Sequence, residues 1–131
     1  MISNTDMIRK IARISEQDPR YRREAYLFVL AALEFTVQGL SEIRHLTGQE
    51  LSRGIAAYAR AQYGYLAQTV LEHWGVRATL DFGEIVYSLI DEGLMRKTED
   101  DRKEDFAGVY EFAEEFVWER AKPTHFPPRF E

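Results

Sequence analysis

The stretch REAYLFVLAALEFTVQGL does most to limit what this chain can fold into. Residues 25–37 are apolar at nearly every turn position, interrupted only by Glu34 and Thr36. A helix with no polar face has to be enclosed by protein. The sequence therefore predicts a central core helix, ending near Gly39, around which the other elements pack. The total length of 131 residues fits one domain with one core.

The flanking segments carry helix punctuation. Residues 4–17 form an amphipathic pattern, with Met7, Ile8, Ile11 and Ile14 on one stripe and Arg9, Lys10 and Arg13 around the other side. Asp18 and Pro19 mark a break and suit the cap and first turn of the central helix. In HLTGQEL, Thr47 and Glu50 have the T-x-x-E spacing of a capping box, and Leu46 and Leu51 that of a hydrophobic staple. That helix runs through Ile55, Tyr58 and Ala59 to Gly64. A second short one covers residues 65–74, with Leu66, Val70 and Trp74 on one side and Gly75 as a left-handed stop. Thr79 is placed to cap a third, with Asp81 in its first turn. Phe82, Ile85, Val86, Leu89 and Ile90 form its buried face, and Gly93 ends it.

After Gly93 the spacing predicts a strand over 94–98, a charged turn EDDRKED and a returning strand over 106–112. A helix over 107–118 is the alternative there, because VYEFAEEFVW also has helical spacing. Three capped helices followed by a charged hairpin are the order of a winged helix–turn–helix. The expected architecture is mainly α with a small β hairpin near 94–112 (α+β). It is winged-helix-like, with one domain over 1–121 and a Pro-rich flexible tail over 122–131.

Charge argues against DNA readout by such a fold. The net charge is −5, and residues 79–93 contain no Lys or Arg. The exposed positions of that helix include Asp81, Glu84, Ser88, Asp91 and Glu92, which phosphates would repel. Arg96, Lys97, Arg102 and Lys103 follow, but five acids of the turn offset them. Only residues 1–23 are net basic, at +3. Nucleic acid is thus the alternative partner, met by the N-terminal arginines or the wing, and an acidic helix face suits a basic protein partner better.

Known chemistries find little footing. Without cysteine there are no disulfides, thiolate metal sites or thiol nucleophiles. His45, His73 and His125 are not paired at ligand spacing, no serine sits in a G-x-S-x-G elbow, and no phosphate-binding glycine motif is present. Glu111, Glu114 and Glu115 would share one helix face, and Asp100, Asp101, Glu104 and Asp105 cluster in the turn, without EF-hand spacing. Such charge runs read as solvated surface. No catalytic, cofactor or metal residue is therefore singled out. The N-terminus is too polar for a signal peptide and no window of 18 apolar residues occurs, so a cytoplasmic, non-membrane protein is expected.

The segments RYRREAYLFVLAALEFT, TGQEL and LEHWGVRATLDFGEIVYSLIDEGLMRKTEDDRKEDFAGVYEF carry a resemblance. Over residues 18–112 the chain resembles a family of small bacterial proteins of unknown function and about this length, often catalogued as an uncharacterised conserved or repeat protein. The matching motifs are Thr47-Gly48-Gln49-Glu50-Leu51, His73-Trp74-Gly75, Asp81-Phe82-Gly83-Glu84-Ile85-Val86 and Glu104-Asp105-Phe106. The resemblance implies a bacterial cytoplasmic origin and supplies no activity or site residue. The functional expectation is a non-catalytic protein-interaction or adaptor module that meets a partner protein or a second copy of itself. Its candidate surface residues are Arg9, Arg13, Arg20, Arg22, Arg23, Trp74, Asp81 and Glu84, and an exposed apolar or aromatic patch is expected with them.

Overall fold

In the computed structural model, which describes residues 3–117, the apolar stretch forms α2 (Arg23–Gln38). It contacts α1 (Asn4–Gln17), α3 (Gly48–Tyr63) and α5 (Thr79–Asp91), and its pairing with α3 is the most extensive in the molecule. A 3-10 turn (Gly64–Leu66) leads from α3 into the short α4 (Ala67–His73). After α5 come a second 3-10 turn (Lys103–Phe106) and the single-turn α6 (Phe112–Glu115). Ile11, Tyr26, Val29, Ile55, Leu71, Phe82, Ile85 and Leu89 are almost fully buried and make one core.

Much of the punctuation holds. The amphipathic helix at 4–17 forms, buries Ile11 and Ile14, and leaves Ile8 55% exposed. Thr47 and Glu50 make the capping box: the Glu50 N–H donates to Thr47 Oγ1 (3.1 Å) and the Thr47 N–H to Glu50 Oε1 (2.9 Å). Gly75 (φ +96°) and Gly93 (φ +77°) are the left-handed stops of α4 and α5. Each is followed by the six-residue backbone bond of a Schellman motif, Val76 N–H to Leu71 O and Leu94 N–H to Leu89 O (both 2.9 Å).

Other details differ. α2 starts at Arg23 and not at Pro19, because Asp18 spends its carboxylate on the backbone N–H and guanidinium of Arg20 and closes a turn there. Enclosure of α2 is also incomplete, since Leu27 and Phe35 are each 42% exposed. Leu66 lies in the 3-10 turn, 49% exposed, and α4 buries Ala67 and Leu71 instead. Thr79 is the first residue of α5 rather than its cap. Its buried hydroxyl accepts the N–H of Val109 (3.1 Å), and Asp81 reaches back to the N–H groups of Arg77 and Ala78 (2.8 and 3.1 Å).

The expected hairpin is absent. No β-strand occurs among the described residues, so neither an α+β class nor a winged-helix-like arrangement describes this chain. The reason is local competition for backbone donors. Asp101 accepts the Thr98 N–H (2.8 Å), a donor at the end of the expected strand, and Asp105 accepts the Arg102 N–H (3.0 Å), which starts the 3-10 turn where a hairpin connection would run. Phe106, read as strand, is buried against α3 and α5. A Cβ on Gly48 would lie 3.0 Å from its ring, and one on Gly83 3.0 Å from its Cβ. Of the two readings for 107–118, helix is realised, but only as the one turn of α6. The tail at 122–131 lies outside the described residues.

Candidate functional site

Two features stand out. The first is a cavity of about 330 Å³ where α2, the start of α3 and the C-terminal half of α5 meet the segment after α5. The staple residues Leu46 and Leu51 line it, with Leu33, Val86, Ile90 and Phe106. Its rim is polar: Arg44, His45, Arg96, Lys97, Asp101, Arg102 and Asp105. Arg44 is engaged by Glu50 through two contacts (3.0 and 2.9 Å). The Arg44 guanidinium, then the Thr47 N–H, hold the Glu50 carboxyl down at about 2. His45 Nε2 lies 2.5 Å from Asp101 Oδ2. Burial pushes the Asp101 carboxyl up. The Thr98 backbone bond and the His45 contact together outweigh burial and leave it below the ordinary carboxylate range.

Both rim acids are thus committed to neighbours inside the chain. Arg96, Lys97 and Arg102 are exposed, and among the described residues none has a carboxylate within 4 Å. Tyr87 also lines the cavity; its hydroxyl is buried and has no hydrogen-bond partner among the described residues. No cluster of three or more metal-ligating side chains forms among the described residues.

The second feature is a ladder of rings along the edge shared by α2, α3 and α4. Phe35 meets Tyr58 (5.0 Å between ring centroids), Tyr58 meets Phe28 (5.1 Å), and Phe28 meets Trp74 (5.3 Å) and Tyr63 (6.0 Å). Tyr63 closes the run edge-on to Trp74 (6.0 Å). Phe28 is buried, Tyr58, Tyr63 and Trp74 are partly buried against the core, and Phe35 is the exposed member of the run. Leu27, Ala31 and Phe35, spaced four apart, put an apolar stripe on the outer face of α2.

The sequence candidates do not gather on one surface. Arg9 pairs with Asp6 (3.5 Å), Arg13 with Glu92 (2.6 Å), and Arg20 with Asp18 (2.7 Å) and Glu84 (3.5 Å). Three of the six cations of 1–23 are thus paired with acids of the chain, two of them with acids outside that stretch, Glu84 and Glu92. Arg22 and Arg23 are exposed at the start of α2, and the Arg22 N–H donates to Trp74 O (3.1 Å). Glu84 also receives Lys103 (3.0 Å). Asp81 accepts the Tyr21 hydroxyl (2.5 Å) besides its two backbone donors. That contact and, above all, burial push the Tyr21 phenol well above its ordinary range. Of the eight candidates, Trp74 alone belongs to the ring ladder.

No contiguous motif in the sequence marks the cavity: its rim joins His45 to Asp101, 56 positions apart, and the five acids beside the turn cations suggest that these are offset. One signal was available: Thr98-x-x-Asp101 and Arg102-x-x-Asp105 have the spacing of side chain-to-backbone caps. Acids so engaged are poor partners for adjacent cations. No helix among the described residues is long and apolar enough to cross a membrane. No family model, curated protein or solved structure matches this chain.

Proposed function

We propose that this chain is a non-catalytic protein-interaction module whose contact surface is the ring-bearing edge of α2, α3 and α4. The observation that carries the reading is the exposed pair Leu27 and Phe35 on the outer face of α2, where Phe35 begins the run of partly buried rings that ends at Trp74. Large rings bury much apolar area with few rotatable bonds, and clusters of them on a surface are typical of the energetic centres of interfaces. An apolar partner face would cover Leu27 and Phe35, and the tyrosine hydroxyls would stay at the wet rim. Nucleic-acid binding by the N-terminal arginines has less to rest on, because Arg9, Arg13 and Arg20 are each engaged by acids of the chain.

A photo-crosslinking residue at position 27 or 35, with exposed Glu16 as the control position, tests this in the cells of origin. Nuclease-resistant protein adducts from 27 and 35 and none from 16 are expected. An adduct of the chain with itself would identify the partner as a second copy. Equal labelling at all three positions, or adducts to nucleic acid alone, would overturn the reading.

A further inference from the structure

We infer that the cavity between α2, α3 and α5 binds a small monocarboxylic acid, its apolar body among Leu33, Leu51, Val86 and Phe106 and its carboxylate among Arg96, Lys97 and Arg102. The site is separate from the ring-bearing edge and does not depend on the function proposed for that edge. Its size sets the class of ligand. At about 330 Å³ the cavity lies at the lower end of the roughly 300–1,000 Å³ range of small-molecule sites, which suits a medium-chain or single-ring acid.

Its lining sets the polarity. An apolar body with a few convergent polar groups is the usual make-up of a small-molecule site. The sign of the head group follows from which rim charges are already engaged. Asp101 is held by His45 and the Thr98 N–H, and Asp105 by the Arg102 N–H. Glu50 neutralises Arg44. Among the described residues Arg96, Lys97 and Arg102 have no acid partner, and these three cations outnumber the two rim carboxylates, Asp101 and Asp105, which are turned to donors of the chain; a rim with that excess over an apolar floor favours an anion with a greasy tail. The Tyr87 hydroxyl in the wall is buried, has no hydrogen-bond partner among the described residues, and is a donor to which an entering carboxylate offers an acceptor.

Octanoate and octanol share a body and differ in the head, so they serve as probes. Calorimetric titration of the full chain, with amide NMR shifts to locate the site, should show octanoate binding at least tenfold more tightly than octanol. The shifts should centre on Leu51, Val86 and Tyr87. R96Q/K97Q/R102Q, confined to exposed side chains, should leave the fold unchanged and bring the two affinities within about twofold. Val86→Phe, which narrows the cavity, should weaken both probes. Equal affinity for acid and alcohol in the native chain, binding of neither, or shifts centred on Phe35 and Trp74 would each overturn the assignment.

Discussion

Gly75→Ala and Gly93→Ala form a matched pair. Both glycines end a helix in the same Schellman geometry with positive φ, so both substitutions carry the left-handed penalty of a Cβ, about 1–2 kcal/mol. Both also gain the same small benefit from a stiffer unfolded chain, which cancels in the comparison. What differs is the space. A Cβ at Gly93 meets only the Lys10 ammonium, at 4.0 Å, the far end of a flexible side chain. A Cβ at Gly75 runs into the carbonyl oxygen of Arg20, which is backbone and cannot rotate aside. The connection between α1 and α2 must then move, at about 1–3 kcal/mol for overpacking. The adjacent Arg22 N–H to Trp74 O bond is put at risk, worth about 0.5–1.5 kcal/mol. Gly93→Ala should therefore cost about 1–2 kcal/mol and Gly75→Ala about 2.5–6.5 kcal/mol. At about 3–5 °C per kcal/mol for a chain this long, thermal unfolding followed by circular dichroism separates them. Equal losses, or the larger loss at Gly93, would refute the packing of that connection against Gly75.

Three further outcomes follow from single contacts. The Glu50 carboxyl is depressed to about 2 from its ordinary 4.5. Its stabilisation is therefore complete above about pH 4.5 and is lost as pH falls toward 2. Urea midpoints measured across that window should fall less steeply for Glu50→Gln than for the native chain. Tyr21→Phe removes the donor to Asp81 and should cost about 1.5–3 kcal/mol in urea unfolding; a loss under ~0.5 kcal/mol would mean the contact adds nothing. Phe106→Ala opens a void against Gly48 and Gly83 and should cost about 3–5 kcal/mol by the same assay, whereas a near-neutral result would mean the 3-10 turn is not anchored there.

What could be read from the sequence follows a physical division. Short-range signals were legible because the interaction that makes each element lies within a few residues: the Thr47–Glu50 box, the two glycine stops and the α5 stripe. The region after Gly93 was misread because helix-ending glycine, apolar residues and a charged turn also fit a hairpin. The deciding partners, Gly48 and Gly83 against Phe106, are distant in sequence. The pairing of Arg13 with Glu92 and of Arg20 with Glu84 is not legible in the net charge of 1–23, because those acids belong to α5 or its end. The ring ladder was half visible. Trp74 and Tyr58 fall on the expected faces of their helices, but Phe35 lies in the stretch that reads as an enclosed helix, and its exposure depends on how much of α2 the other helices cover.

A partner held at the edge carrying Phe35 and Leu27 is what the proposed function requires. Both side chains lie outside the buried core, so Leu27→Asp/Phe35→Asp should keep the helical fold, which an unchanged circular dichroism spectrum would verify, at a cost of about 0.5–1.5 kcal/mol for the lost Phe35–Tyr58 contact. Native and variant chains, tagged and recovered from the host after nuclease treatment, should differ in one respect: a protein retained by the native chain, or its own second copy, is lost from the variant. Retention of the same partner by the variant, or recovery of nucleic acid in place of protein, would contradict the account.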